Sequence, residues 1–446
     1  MVRHLNMKAD RRALIVVFVG GIAVVWHILA CQESPMAFSP TGDRLALTVM
    51  EPYDYDNLVL QGPHAWRLLV LDQGQRLRTV ETSITHMLTG PAYSPDGKSW
   101  CYFRIPLLSQ EASERLKEEV RKPRDRAVGP EDFYWPNDPA PPREAGDNPP
   151  PAPYDLTLPP AQAVADFAEQ AGTYPPVPAT LVVRDGVTDA VLSEARVELP
   201  IKPEDGDWAM AYMTLRPQYT PDGQWVYFSA GGVAFAVNVI TRAQHVLAVG
   251  APVATLSPDS KTLAFLTARN EETVLGFVRT DGQAATYRRW HKNVSPAGLT
   301  WSDAQTVALL EPKAGDTQWV HLVRKDGTLG RSVPLRISLP GTDKEKDNQG
   351  RLAVSPNGRY LVVGFERNVF FMRMDGTLCR DWHDEKGMLV QPASSPDSTK
   401  VAFKRMTKQD TDKLRSAEIV FFTPEGKELS AVAIPPLEPG TTRPAS

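Results

Sequence analysis

The segment Ala92-Tyr93-Ser94-Pro95-Asp96-Gly97 runs into Trp100-Cys101-Tyr102-Phe103, a proline-bearing turn followed by a run of strand composition. Proline presets φ for the second position of a β-turn, and aspartate tolerates the next while its side chain bonds the local backbone. Glycine then supplies the positive φ of the return. The aromatic and apolar residues that follow favour a pleated, packed surface, so the stretch predicts a hairpin.

Working outward, the phrase recurs. It reads Ala-Phe-Ser-Pro-Thr-Gly at 37 to 42, Gln-Tyr-Thr-Pro-Asp-Gly at 218 to 223 and Thr-Leu-Ser-Pro-Asp-Ser at 255 to 260. Further copies are Thr-Trp-Ser-Asp-Ala at 300 to 304, Ala-Val-Ser-Pro-Asn-Gly at 353 to 358 and Ala-Ser-Ser-Pro-Asp-Ser at 393 to 398. With the first stretch this makes seven copies. The fifth lacks proline, and the fourth and seventh lack the closing glycine. Each is followed by a short apolar run such as Leu263-Ala264-Phe265-Leu266 or Val401-Ala402-Phe403. A third run follows, as at Trp319 to Gly327 or Ile419 to Gly426, commonly ending in the Asp-Gly or Glu-Gly of a tight hairpin. A weaker fourth follows, as at Ala285 to Trp290 or Leu429 to Ile434. Four strands repeated seven times predict an all-β chain, a seven-bladed β-propeller of four-stranded blades.

The Ser-Pro-Asp-Gly turn with its trailing Ala-Phe-like strand resembles the TolB-type, WD40-like propeller repeat called PD40, and the likeness covers nearly all of residues 35 to 434. The resemblance implies the fold strongly and the function weakly. Such blades occur in envelope scaffolds, in the propellers of prolyl peptidases and in many exported proteins. By this count blade one begins and blade seven ends within its own segment, so closure of the ring is expected to rest on side-chain packing.

Measured at the turn serine or threonine, the copies begin at 39, 94, 220, 257, 302, 355 and 395, and one step is far too long for a blade. The excess is residues 106 to 178, which hold 16 of the 40 prolines and 13 acidic against 7 basic residues, between the second and third strands of blade two. Ser109 to Lys122 and Pro160 to Ala171 carry helix start and stop signals. Pro139 to Pro153, proline-dense and acidic, is expected to be extended or disordered. This Pro-rich, partly helical insertion is either a lid or docking arm, with Phe133, Tyr134 and Trp135 as its anchors, or a tolerated loop without a role.

The first 31 residues read as an export signal. Arg3, Lys8, Arg11 and Arg12 precede the apolar run Ala13 to Ala30, and Ile28-Leu29-Ala30-Cys31 resembles a bacterial lipobox. That resemblance implies lipid attachment at Cys31; the alternative is an uncleaved signal anchor. Arg11-Arg12 fits a twin-arginine signal poorly beside Asp10 and Ala13. Either outcome puts the remaining chain outside the cytoplasm, membrane-anchored. Residues 435 to 446 form a short tail.

The chain has 446 residues and a formal net charge of −4, and this gives no basic excess for a nucleic acid. His64, His86, His245, His291, His321 and His383 are scattered, without the spacing of a zinc site. No Gly-x-Ser-x-Gly elbow appears, and about a dozen residues follow the seventh unit, so no hydrolase domain is expected. Ser94 to Trp100 resembles a sialidase Asp-box only in its turn, since Asp96 and Gly97 are adjacent. Asp381-Trp382-His383-Asp384 is the most chemically suggestive run, although a blade loop produces the same residues. Cys101 and Cys379, in blades two and six, are expected to be buried and unpaired.

No catalytic residue, cofactor or metal is predicted. The expectation is a cell-envelope binding or scaffold protein with a protein partner. Two alternatives stand beside it: an enzyme acting on polysaccharide or peptide at the channel mouth, and an extracytoplasmic sensor on a signal anchor.

Overall fold

A computed structural model describes residues 36–52, 64–72, 76–107, 174–201, 215–230, 232–249, 253–269, 272–280, 285–290, 298–314, 317–336, 351–365, 368–408 and 415–436. The signal segment with Cys31, the two helix expectations and the aromatic anchors of the insertion, and the tail beyond 436 lie outside them. Among the described residues the chain is all-β: seven four-stranded antiparallel sheets, each with its strands in or directly against chain order. The blades span residues 37–83, 86–201, 218–249, 253–290, 299–336, 351–383 and 387–434. The chain is a seven-bladed β-propeller.

Alternation along each strand explains how the blades pack. Successive side chains of a strand point to opposite faces, and in a propeller both faces meet a neighbouring blade. In the second strand of blade five, Thr306–Ala314, Val307 and Leu309 enter the core shared with blade four. Ala308 and Leu310, one step out of phase, enter the core shared with blade six. The run is therefore apolar throughout instead of alternating with polar residues. At the next junctions Phe371 of blade six packs against Phe403 and Phe422 of blade seven, with ring centroids 6.2 and 5.4 Å apart. Complete burial of each such side chain contributes about 1.5–3 kcal/mol.

Among the described residues no strand is shared between blade seven and blade one. Leu45, Leu47, Val49, Leu69 and Leu71 of blade one pack instead on Ala402, Ile419 and Ile434 of blade seven, and Phe38 meets Phe421 with centroids 6.4 Å apart. Arg67 adds a charge-assisted bond, donating from Nη2 to the Pro435 carbonyl at 2.6 Å. Between these two blades the described residues close the ring by side-chain packing.

The insertion enters where expected, between the second strand Ser99–Pro106 and the third strand Tyr174–Asp185 of blade two. Its C-terminal edge is earlier than the proline density implied, because Tyr174 to Pro178 extend the third strand. Those prolines sit where pairing is one-sided: the second strand pairs with the third only as far as Thr180, and the register on the fourth strand shifts between Tyr174 and Val177. A missing N–H costs no ladder bond at such positions.

Candidate functional site

The first strands of neighbouring blades meet one another around the ring, so they form the wall of the central channel. The repeated turns, which join each first strand to its second, rim one mouth of that channel. In blade two the Ser94 hydroxyl donates to Asp96 Oδ1 at 2.7 Å and accepts from the Ser99 N–H at 3.0 Å, while Asp96 Oδ1 also accepts from the Lys98 N–H at 3.1 Å. Thr220 with Asp222, Ser257 with Asp259, and Ser395 with Asp397 repeat the pattern at 2.5 to 2.6 Å. In blade six Asn357 takes the carboxylate's place. In blade one the acid has moved two positions on, yet Ser39 still reaches Asp43 at 2.6 Å. Blade five, without proline, closes one residue sooner, from the Ser302 N–H to the Thr306 carbonyl at 2.9 Å.

These bonds favour the ionised carboxylate. The hydroxyls of Ser39, Ser94, Thr220 and Ser395 hold Asp43, Asp96, Asp222 and Asp397 below the ordinary aspartate range. At Asp259 burial is the largest influence and pushes the other way, but the Ser257 hydroxyl, the Lys261 N–H and the nearby lysine charges together hold the carboxyl below the ordinary range. The turns also touch in sequence around the mouth. A Cβ at Gly97 would lie 3.7 Å from Pro40, one at Gly42 3.7 Å from Pro396, and one at Gly223 3.8 Å from Ser94. The Asn357 N–H donates to Ser398 Oγ at 3.1 Å. From blade three through blades two, one and seven to blade six, the mouth is thus a rim of fixed turns in contact, most of them carrying a carboxylate.

Inside the channel wall, three blades place an X-Pro pair at the same point, four residues before the turn serine or threonine: Gly90-Pro91, Arg216-Pro217 and Gln391-Pro392. Gly90 and Gln391 sit at register shifts of their strands with φ of 67° and 55°. Arg216 Nη2 donates to Gln391 Oε1 at 3.5 Å. Blades three and seven stand on opposite sides of the ring, so this contact spans the channel.

Charged clusters elsewhere join neighbouring blades. Asp189, on the hairpin between the third and fourth strands of blade two, receives Arg44 at 2.8 Å, the Trp100 Nε1–H at 3.0 Å, and Arg78. Glu81 of blade one receives Arg104 at 2.9 Å, Arg184 at 2.7 Å, and the Tyr102 hydroxyl. Burial pushes the Glu81 carboxyl up, but the bonds from Arg104, Tyr102 and Arg184 hold it below the usual range. The same burial, with Glu81 alongside, pushes the Tyr102 hydroxyl up to about 12. Arg405, 1% exposed, meets Asp384 at 2.5 Å, Glu418 at 3.2 Å and Glu428 at 3.3 Å. The first two clusters fasten blade one to blade two, and the third fastens the link before blade seven to that blade.

The run at 381 to 384 is split by strand alternation. Asp381 is exposed, Trp382 packs on Phe422 and under Arg380, His383 Nδ1 meets Asn368 Oδ1 at 2.9 Å, and Asp384 turns inward to Arg405. Cys101 is buried, its thiol pushed up to about 12 by desolvation. Cys379 departs from expectation: it lies in the outermost strand of blade six and is half-buried, because only one of that strand's faces packs on a neighbour. Among the described residues no three His, Cys, Asp or Glu side chains gather as a metal site. No described helix is long and apolar enough to cross a membrane. Sequence reasoning passed over the structural role of the turn hydroxyl, whose signal was its presence as Ser or Thr in all seven copies. It also passed over Arg216, for which only the shared X-Pro spacing hinted at a common place in the wall.

Geometry and topology together define a propeller. No protein-family model matches the chain, and no curated protein does. Among solved structures it is similar to a TolB candidate from Agrobacterium tumefaciens, at 16% identity over 49% of this chain and 78% of that one, with a TM-score of 0.35. It is similar also to the β-propeller domain of Cps50 (Swd1) from Myceliophteria thermophila, at 10% identity over 88% and 96% of the two chains, with a TM-score of 0.47. A prolyl endopeptidase matches at 12% identity over 97% of this chain but 55% of its own length, with a TM-score of 0.47.

Proposed function

We propose that this chain is an exported, membrane-tethered binding or scaffold protein of the bacterial cell envelope that presents the rim of its channel to a protein partner. The rim carries this reading. Six of the seven turns hold their carboxylate or amide with their own serine or threonine hydroxyl, and adjacent turns touch. A surface fixed before contact loses little conformational freedom on binding. The tethering half of the reading is supported by the apolar run and the Ile28-Leu29-Ala30-Cys31 tetrad.

The test has two parts. Photo-crosslinkers placed at Asp96, Asp222 and Asp397 in membranes are expected to capture one common partner, and crosslinkers at exposed Leu378 or Leu429 on the outermost strands are not. Equal capture from rim and outer strands would remove the rim as the contact surface. For the tether, Cys31→Ser is expected to abolish lipid labelling and release the protein from membranes. The mass of the mature N-terminus separates a lipidated cysteine from a retained helix.

A further inference from the structure

Charges inside this protein are generally matched. Arg44, Arg78, Arg104, Arg184 and Arg405 each meet a carboxylate at hydrogen-bond distance. Arg216 meets none among the described residues. Its contact is a single long bond to the neutral oxygen of Gln391, at the outer limit of a hydrogen bond. Desolvation alone lowers the guanidinium pKa. The side chain still keeps partial exposure, so it sits deep in the ring yet touches space wide enough for solvent.

Both ends of this contact are held in place. Leu215 is 1% exposed, and Pro217 is packed so tightly on blade two that a Cβ at Gly90 would lie 2.8 Å from its Cδ. Gln391 is 3% exposed and adopts a left-handed backbone that a side-chain-bearing residue rarely accepts. Such strain persists only where surrounding structure enforces it, and it gathers at binding sites. A buried cation without a counter-charge is costly unless a ligand supplies one.

We infer that the channel binds a carboxylate group at Arg216, with the Gln391 amide beside it. A guanidinium fork matches the two oxygens of a carboxylate. The rim is lined by aspartates held in their ionised form, which oppose a multiply charged anion more than a singly charged one. The inference rests on reading the propeller as a binding protein, but it fails separately, because the rim crosslinks do not depend on Arg216.

The test uses the purified full chain, butyrate, butyramide and inorganic phosphate as probes, and the arginine Nε–Hε signals with thermal shift as readouts. Butyrate is expected to titrate to saturation, butyramide to be silent, and Arg216→Gln to bind butyrate at least tenfold more weakly. Arg216→Lys, which keeps charge but not the fork, is expected to fall between. Without ligand, Arg216→Gln is expected to melt no lower than the parent, since it removes a desolvated cation that meets no carboxylate among the described residues. The tripeptide Gly-Gly-Leu and its C-terminal amide identify the source. Tighter binding of the free tripeptide than of butyrate assigns the carboxylate to a chain terminus, and the reverse order assigns it to a free acid. A lower melting temperature for ligand-free Arg216→Gln would mark the residue as structural and overturn the inference. So would unchanged affinity in that variant, no saturable carboxylate binding, or phosphate bound more tightly than butyrate.

Discussion

The junction between blades one and two and the junction between blades seven and one do the same job with different chemistry. At the first, an apolar core is bracketed by two charged clusters, one gathered on Asp189 and one on Glu81. At the second, closure rests on Leu, Val, Ile and Phe side chains, with a charge-assisted bond from Arg67 to a backbone carbonyl. The difference follows from what each interface can afford. Packing is non-directional and tolerates the approach of two ends of a chain from any angle, whereas a buried carboxylate needs every partner in place. The charged clusters sit beside the insertion-bearing blade, whose third and fourth strands are the longest among the described residues at 12 and 11 residues.

The largest expected effect comes from breaking the charged junction. Asp189→Ala would leave the Trp100 N–H without its acceptor and Arg44 and Arg78 sharing Asp72 as their one remaining carboxylate, at a loss of about 3–5 kcal/mol, read by denaturant unfolding. A loss near zero would show that the cluster only decorates an apolar interface. Next comes the apolar seam: Ile419→Ala removes a fully buried side chain and is expected to cost about 2–4 kcal/mol. The two sites share no partner, so their losses are expected to add in the double variant. A sum far from additive would mean that the ring opens at one preferred junction.

A smaller effect tests the rim that crosses both junctions. Asp43, Asp96, Asp222 and Asp397 have folded-state pKa values below their unfolded ones, so the folded state binds fewer protons than the unfolded chain there. Their contribution is fully present above about pH 4, the unfolded aspartate value, and is lost as pH falls through the lower folded values. Melting temperature should therefore hold steady from neutrality to about pH 5 and drop below pH 4. Ser94→Ala should move the Asp96 titration upward, as seen in its carboxyl carbon NMR shift.

The smallest effect lies in the turns without glycine. Ser260 and Ser398 occupy the left-handed position at φ of 55° and 60° that glycine fills elsewhere. Ser260→Gly relieves that strain and is expected to stabilise by about 0.5–1 kcal/mol. Ser398→Gly relieves the same strain but forfeits the bond that Ser398 Oγ accepts from the Asn357 N–H, and it should be close to neutral. Equal gains from both variants would show that this inter-turn bond contributes nothing.

Much of this protein was legible in one dimension because its information is local and repeated. A turn of Ser-Pro-Asp-Gly needs only neighbouring residues to define its dihedrals, and seven copies supplied blade number, strand order and the place of the insertion. The run at 381 to 384 shows the opposite case: adjacent letters parted to opposite faces of a strand, so proximity in sequence was not proximity in space. Cys379 was misplaced for a related reason, since nothing local marks an outermost strand.

Sequence alone thus determined the repeat, the hairpin chemistry and the apolar phase that makes both faces of a blade sticky, because those depend on spacings of a few residues. Tertiary structure alone decided which charges meet across blades, and it alone set Arg216 opposite Gln391, 175 positions away. Closing a ring joins distant segments by geometry that no short spacing encodes, and the electrostatics of the channel exist only once it has closed.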